Sequence, residues 1–255
     1  MENEIRMIIK NSRYRIINLN ESLKDNVELY INNEKYYLDS HGYSNLENDG
    51  EYKVILKFKV KVNNCHELFY DCRDIKYIDL TSFYAKDITD MSRMFYDCKN
   101  LQKVDLSNFD AENLINMDEM FRGCDNLNDV NLNSFNAIKV TNMKDIFYDC
   151  GLKNINLSFI NTVSLVNISG MFRSCKELTN VNFSFSFCTN NVTNMSNMFS
   201  GCHNLKDINF LNLNTMNVTN MSGMFSHSNL LNVDLSFLNC EKVEDMSFFF
   251  QDVRI

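Results

Sequence analysis

The chain has no proline, no tryptophan and only seven glycines in 255 residues. Without residues that fix sharp, individually shaped turns, a chain of this size is expected to repeat one backbone path many times. Long apolar runs are missing too. None approaches the roughly 18 to 20 residues of a membrane span, so no membrane insertion is expected. Glu2, Glu4, Arg6 and Lys10 interrupt the stretch where a secretory signal would be apolar. A soluble, cytoplasmic chain is the expectation. A basic surplus is also absent: the net charge is −8 and the pI about 5.1. Nucleic acid and anionic membranes need clustered Lys and Arg, so neither is expected as a partner. What the chain does have is 45% hydrophobic residues, enough to fold around a core.

Those residues repeat. Met-Phe or its equivalent recurs at Leu68-Phe69, Met94-Phe95, Met120-Phe121, Ile146-Phe147, Met171-Phe172, Met198-Phe199, Met224-Phe225 and Phe249-Phe250. The steps are 26, 26, 26, 25, 27, 26 and 25 residues. The two shorter steps lose one residue after the cysteine position, at Cys150-Gly151-Leu152 and Ser228-Asn229-Leu230. Periods of this length mean stacked units, each unable to bury its apolar face alone.

Two secondary-structure periods alternate within a unit. Met91, Met94, Phe95 and Cys98 fall at i, i+3, i+4 and i+7, which predicts a helix of about two turns. Asp90 precedes it, matched by Asn116, Asn142, Asn167, Asn194, Asn220 and Asp245, as an N-cap or an Asn-type turn requires. Val104 and Leu106 then alternate with Lys103 and Asp105, which predicts a strand with one buried face. Val130/Leu132, Ile155/Leu157, Val181/Phe183, Ile208/Phe210 and Val233/Leu235 repeat it. Stacking would align Leu101 with Leu127, Phe95 with Phe121 and Met117 with Met143.

The runs Val104-Asp105-Leu106-Ser107-Asn108-Phe109 and Val192-Thr193-Asn194-Met195-Ser196-Asn197-Met198-Phe199-Ser200-Gly201-Cys202 resemble the BspA-like leucine-rich repeats, in their Met-Phe-x-x-Cys variant, over residues 68 to 252. The expected fold is therefore an α/β repeat solenoid of leucine-rich-repeat-like coils. Each coil of about 26 residues would hold a strand, a turn and a short helix. The resemblance implies a bacterial or protozoan surface or interaction protein, with the cell surface as an alternative location.

Residues 1 to 64 do not repeat. Ile5 to Ile9, Tyr14 to Leu19, Val27 to Ile31, Lys35 to Leu38 and Tyr52 to Val62 read as strands, with Asn32-Asn33 as a hairpin turn. They are expected to form a β-rich cap domain, 1–64, on a stack of about seven repeats, 65–255.

Chemistry is sparse. Cys72, Cys98, Cys124, Cys150, Cys175 and Cys202 share one repeat position, and no C-x-x-C pair exists for zinc. A packed column of thiols is expected, tilting toward a reducing compartment. His41, His66, His203 and His227 are scattered, and Cys65-His66 and Cys202-His203 lack a third orienting group. The Met column at 91, 117, 143, 195, 221 and 246 reads as core. No catalytic residue, metal or cofactor is expected. The strand face is the candidate binding surface: Tyr77, Asp79, Lys103, Asp105, Asp129, Asn131, Asn154, Asn156, Asn180, Asn182, Asp207, Asn209, Asn232 and Asp234. A protein is the expected partner, with a glycan as the alternative, and Tyr77 and Lys103 are the members whose bulk or charge suggests a hot spot. Phe248, Phe249 and Phe250 are a candidate self-association surface, for a homodimer or end-to-end assembly. An adhesin is the remaining reading. Asp105→Ala is expected to cost no more than about 0.5 kcal/mol, as at an exposed position.

Overall fold

The computed structural model describes every residue except 1–2, 11–14, 43–45, 47–49, 108, 134, 136, 159, 184–185, 207, 211–212, 231–233, 237 and 254–255. Among the described residues nine strands follow in order: β1 (Glu4–Lys10), β2 (Val27–Ile31), β3 (Glu34–Tyr36), β4 (Glu51–Phe58), β5 (Ile75–Asp79), β6 (Lys103–Asp105), β7 (Asp129–Asn131), β8 (Asn154–Asn156) and β9 (Asn180–Asn182).

β1, β2 and β4 form where apolar residues alternate. β1 buries Ile5, Met7 and Ile9 and turns Arg6 and Lys10 outward, and β4 buries Val54, Leu56 and Phe58. β2 and β3 are joined by Asn32 and Asn33, at φ of 51° and 72°. Both are left-handed, a conformation asparagine tolerates better than most side chains and one that a tight hairpin needs. β1 lies antiparallel between β4 and β5, so one sheet of order β3-β2-β4-β1-β5-β6-β7 runs from the N-terminal strands onto the first repeats. The strand predicted from Tyr14 does not form over Arg15–Leu19; residue 14 lies outside the described residues. That segment instead meets the first coil: Asn18 N–H donates to the Leu68 carbonyl at 2.7 Å, and Arg15 Nη2 to that of Tyr70 at 3.2 Å.

From Asn64 onward the coils stack in parallel register. Tyr77, Ile78 and Asp79 pair with Lys103, Val104 and Asp105, which pair in turn with Asp129, Val130 and Asn131. A second parallel contact runs Asn64, Asp90, Asn116, Asn142, Asn167, Asn194, Asn220, Asp245. Each of these side chains accepts the N–H two residues on, as Asn116 Oδ1 does from Asp118 N–H at 3.1 Å, which makes an Asn-type turn. Among the described residues the strands predicted around Ile208 and Leu235 do not form, although Ile208 and Phe210 are buried; Val233 lies outside the described residues.

The helices predicted after that turn are absent among the described residues. Tight turns follow one another instead, and alternate N–H groups go to different places. Met117, Glu119, Phe121 and Gly123 donate across to Asn142, Lys144, Ile146 and Tyr148 of the next coil, at 2.9–3.0 Å. Met120, Arg122 and Cys124 donate back three residues within their own coil. An α-helix beginning at that turn would spend the N–H groups of Phe121 and Gly123 four residues back, keeping them from the neighbouring coil. Left-handed residues make the change of direction: Glu119 and Gly123 here, at φ of 53° and 72°, and Asp145/Asp149, Gly170/Ser174 and Asn197/Gly201 in later coils.

Packing follows from the repeat. Phe69, Phe95, Phe121, Phe147, Phe172, Phe199 and Phe225 stack face to face with ring centroids 5.4–5.9 Å apart. Leu101, Leu127, Leu152, Leu178 and Leu205 are fully buried beside them. Each buried side chain of this size contributes about 1.5–3 kcal/mol, and every coil is stabilised by its two neighbours.

Candidate functional site

The open face of the long sheet carries two rows of side chains that the strand register sets across the strands. One runs Lys53, Ile8, Tyr77, Lys103, Asp129; the other runs Tyr30, Ile55, Arg6, Asp79, Asp105, Asn131. The rows bound a groove of about 660 Å³ lined by Ile8, Ile55, Tyr77, Arg6, Lys53, Lys103, Asp79 and Asp105, together with Asn33. Its centre is apolar, from Ile8, Ile55 and the half-buried Tyr77 ring. Tyr77 is fixed by its hydroxyl, which donates to Gln102 Oε1 at 2.8 Å.

The charges around this centre are not equivalent. Arg6 is held by Glu4, its Nε donating to Oε1 at 2.6 Å, and lies opposite Asp79. Lys103 pairs with Asp129 at 2.8 Å on an exposed surface, and that hydrogen bond raises the Lys103 pKa. Lys53 has no ion-pair partner among the described residues.

Four of the predicted face residues, Tyr77, Asp79, Lys103 and Asp105, come together in this groove. Asp129 and Asn131 continue it on β7, and Asn154, Asn156, Asn180 and Asn182 lie on β8 and β9, a separate two-stranded sheet. Asn209 and Asp234 are exposed, outside any strand, while Asp207 and Asn232 lie outside the described residues. Arg6, Ile8, Lys53 and Ile55 belong to the groove and were missed, because nothing in their own alternation says that β1 and β4 extend the strand face of the repeats.

The Asp/Asn column also shapes the backbone. Asp105 Oδ1 accepts from Ser107 N–H at 2.9 Å and from Asn131 Nδ2 at 3.1 Å, and Asp79, Asn131, Asn156 and Asp234 each cap the residue two positions on. This corrects the stability expected for Asp105→Ala. Losing a capping acceptor costs about 0.5–2 kcal/mol. A lower denaturant midpoint with an unchanged slope, equivalent to a loss of about 0.5–2 kcal/mol, is expected; an unshifted midpoint would mean that the two bonds contribute nothing.

The opposite, turn side carries a stripe that the sequence reading passed over. Tyr70 and Tyr96 stack at 4.9 Å, and the Arg122 guanidinium sits between the rings of Tyr96 and Tyr148, 5.5 Å and 4.4 Å from their centroids. Glu119, buried beneath, bonds both Arg93 and Arg122. These groups satisfy one another.

The thiol column is buried as expected and is hydrogen-bonded as well. Cys98, Cys124, Cys150, Cys175 and Cys202 each point Sγ at the carbonyl of a phenylalanine in the preceding coil, at 2.7–3.1 Å. Ser228 makes the same kind of bond within its own coil, to Phe225 at 2.6 Å. Burial pushes the thiols of Cys65, Cys72, Cys98, Cys124, Cys175 and Cys202 well up, so little of the reactive thiolate exists near neutral pH. Alkylation of the folded chain at mildly alkaline pH is expected to label Cys240, which is exposed, and more slowly Cys188; the other seven should react only after denaturation. Peptide mass spectrometry reads this, and labelling of Cys124 as fast as Cys240 would contradict the packed column.

At Phe248, Phe249 and Phe250 the last described coil leaves two rings open. Phe248 is 67% and Phe250 45% exposed, whereas Phe249 is buried against Phe225.

Comparison with known proteins gives the chain a family. No curated protein matches it. Among solved structures, a T. pallidum leucine-rich-repeat protein (TpLRR) is 21% identical, with 60% of this chain and 82% of that one covered and a TM-score of 0.35. Superposition at that level carries no argument, and the fold rests on the repeat geometry above. One family model matches residues 63–184 and 180–254, the whole of the repeated region. It is a Mycoplasma family and does not bear the BspA name. The chain belongs to the family described as "Mycoplasma protein of unknown function, DUF285".

Proposed function

We propose that the chain is a non-catalytic module that binds another protein on the open face of its sheet. The observation that carries this reading is the groove, where an apolar centre is bordered by charged side chains that can fix a ligand's register. Repeat stacks use such extended faces because one surface is presented by many coils at once. The resemblance of the Met-Phe-x-x-Cys units to BspA-like repeats supports the same class of function. So does Tyr77, a large side chain held in one orientation at the centre of the face, as binding hot spots are.

A random-peptide display selection against the immobilised full chain tests the reading. Selected clones are expected to lose at least about tenfold in affinity on Tyr77→Arg, a loss of about 1.4 kcal/mol, and to bind Phe248→Ser unchanged. Clones that bind Tyr77→Arg as well as the parent would place recognition elsewhere.

A further inference from the structure

The groove's charge pattern narrows what it takes, on the reading that the strand face is the binding surface. We propose that it holds an extended peptide in which an aliphatic side chain lies between two carboxylates about four residues apart.

The inference starts from the row Lys53, Ile8, Tyr77, Lys103. Neighbouring strands are about 4.8 Å apart, so the two lysines at its ends are separated by about 14 Å. An extended peptide rises about 3.4 Å per residue and turns alternate side chains to one face, so positions 1, 3 and 5 span the same distance. Positions 1 and 5 meet lysines and position 3 meets Ile8 and Tyr77. The second row does not compete for the same groups, because Arg6 is occupied by Glu4 and faces Asp79. Asp105 is tied to Ser107 and Asn131. Lys53 is left without an ion pair among the described residues, and the bridge of Lys103 to Asp129 is exposed on both sides and exchanges at little cost.

The location is unusual for this chain. Residues 1–64 hold ten basic and ten acidic side chains, so the whole net charge of −8 lies in the repeats. The groove is where the neutral segment brings Arg6 and Lys53 against the first coils. The two central isoleucines favour a peptide over a sugar, since a saccharide ring stacks on aromatic faces and Tyr77 is the one aromatic ring lining the groove among the described residues.

The test is a titration of the full chain, with isoleucine methyls labelled for NMR, using the acetylated and amidated peptide Glu-Ser-Leu-Ser-Glu. The Ile8 and Ile55 methyl signals are expected to move saturably. Lys-Ser-Leu-Ser-Lys, Glu-Ser-Ser-Ser-Glu, and the double variant Lys53→Glu/Lys103→Glu with the original peptide should each bind at least about tenfold more weakly. The other isoleucine methyls report that the variant remains folded. Equal response to the basic peptide, or no saturable movement of either methyl with the acidic one, would overturn the proposal. An oligogalacturonate that moves the same methyls more tightly would overturn the peptide assignment and leave the strand face standing, while the display selection on Tyr77 decides the strand-face reading by itself.

Discussion

Leu127→Asp unfolds the middle of the stack, with an expected loss of about 4 kcal/mol or more. Leu127 is fully buried, and its own N–H closes a turn on Cys124. An aspartate there would either ionise inside the apolar core or take up a proton, and both cost free energy. The damage should spread, because each coil relies on its neighbours for burial and for the carbonyls that receive its N–H groups. Thermal denaturation followed by hydrogen exchange reads this: protection is expected to fall first in the coils flanking residue 127. Melting close to that of the parent would sink the ladder register.

Gly170→Val carries the second large effect, about 2–4 kcal/mol of destabilisation. Gly170 has φ of 60°, and a Cβ there would overlap Asp145 Oδ1 of the preceding coil. Its N–H donates to Ser196 of the next coil at 2.7 Å, so the backbone cannot rotate away without losing the inter-coil ladder. A helical unit makes the opposite forecast, since replacing a glycine inside a helix is mildly stabilising. Part of the loss should return in the double variant Gly170→Val/Asp145→Ala, which removes the clash and leaves the left-handed strain. A single variant that melts above the parent would contradict the turn geometry.

These two residues mark the line between what could be seen in the sequence and what could not. Leu127 was legible because a 26-residue period repeats the same apolar position, and stacking is the only way to bury it. The Asn32-Asn33 hairpin was legible because few residues accept two consecutive left-handed conformations. The turn ladder was misread as a helix for a physical reason. Met117, Met120, Phe121 and Cys124 are all buried, and a chain that reverses direction every four residues produces the same i, i+3, i+4, i+7 pattern as a helix. The distinguishing signal was present in Asp97, Gly123, Asp149 and Gly201, and in Asp145, Gly170, Asn197 and Gly223, two positions per coil rich in the residues that tolerate positive φ.

The groove was half legible. Tyr77 and Lys103 stood out by size and charge on a face otherwise lined with amides and carboxylates. Ile8, Ile55, Arg6 and Lys53 did not, because their place beside the repeats depends on β1 inserting antiparallel between β4 and β5. No local pattern encodes that pairing; it follows from closing the sheet edge that the first coil would otherwise expose.

Far-ultraviolet circular dichroism of the full chain tests the central claim most directly, namely that the coils are built from short strands and consecutive tight turns, joined coil to coil, and not from helices. The expected spectrum has no helical double minimum, since no described residue is in a helix. A helical signal from two turns in every repeat would contradict it, and with it the inter-coil hydrogen bonds on which the stack depends.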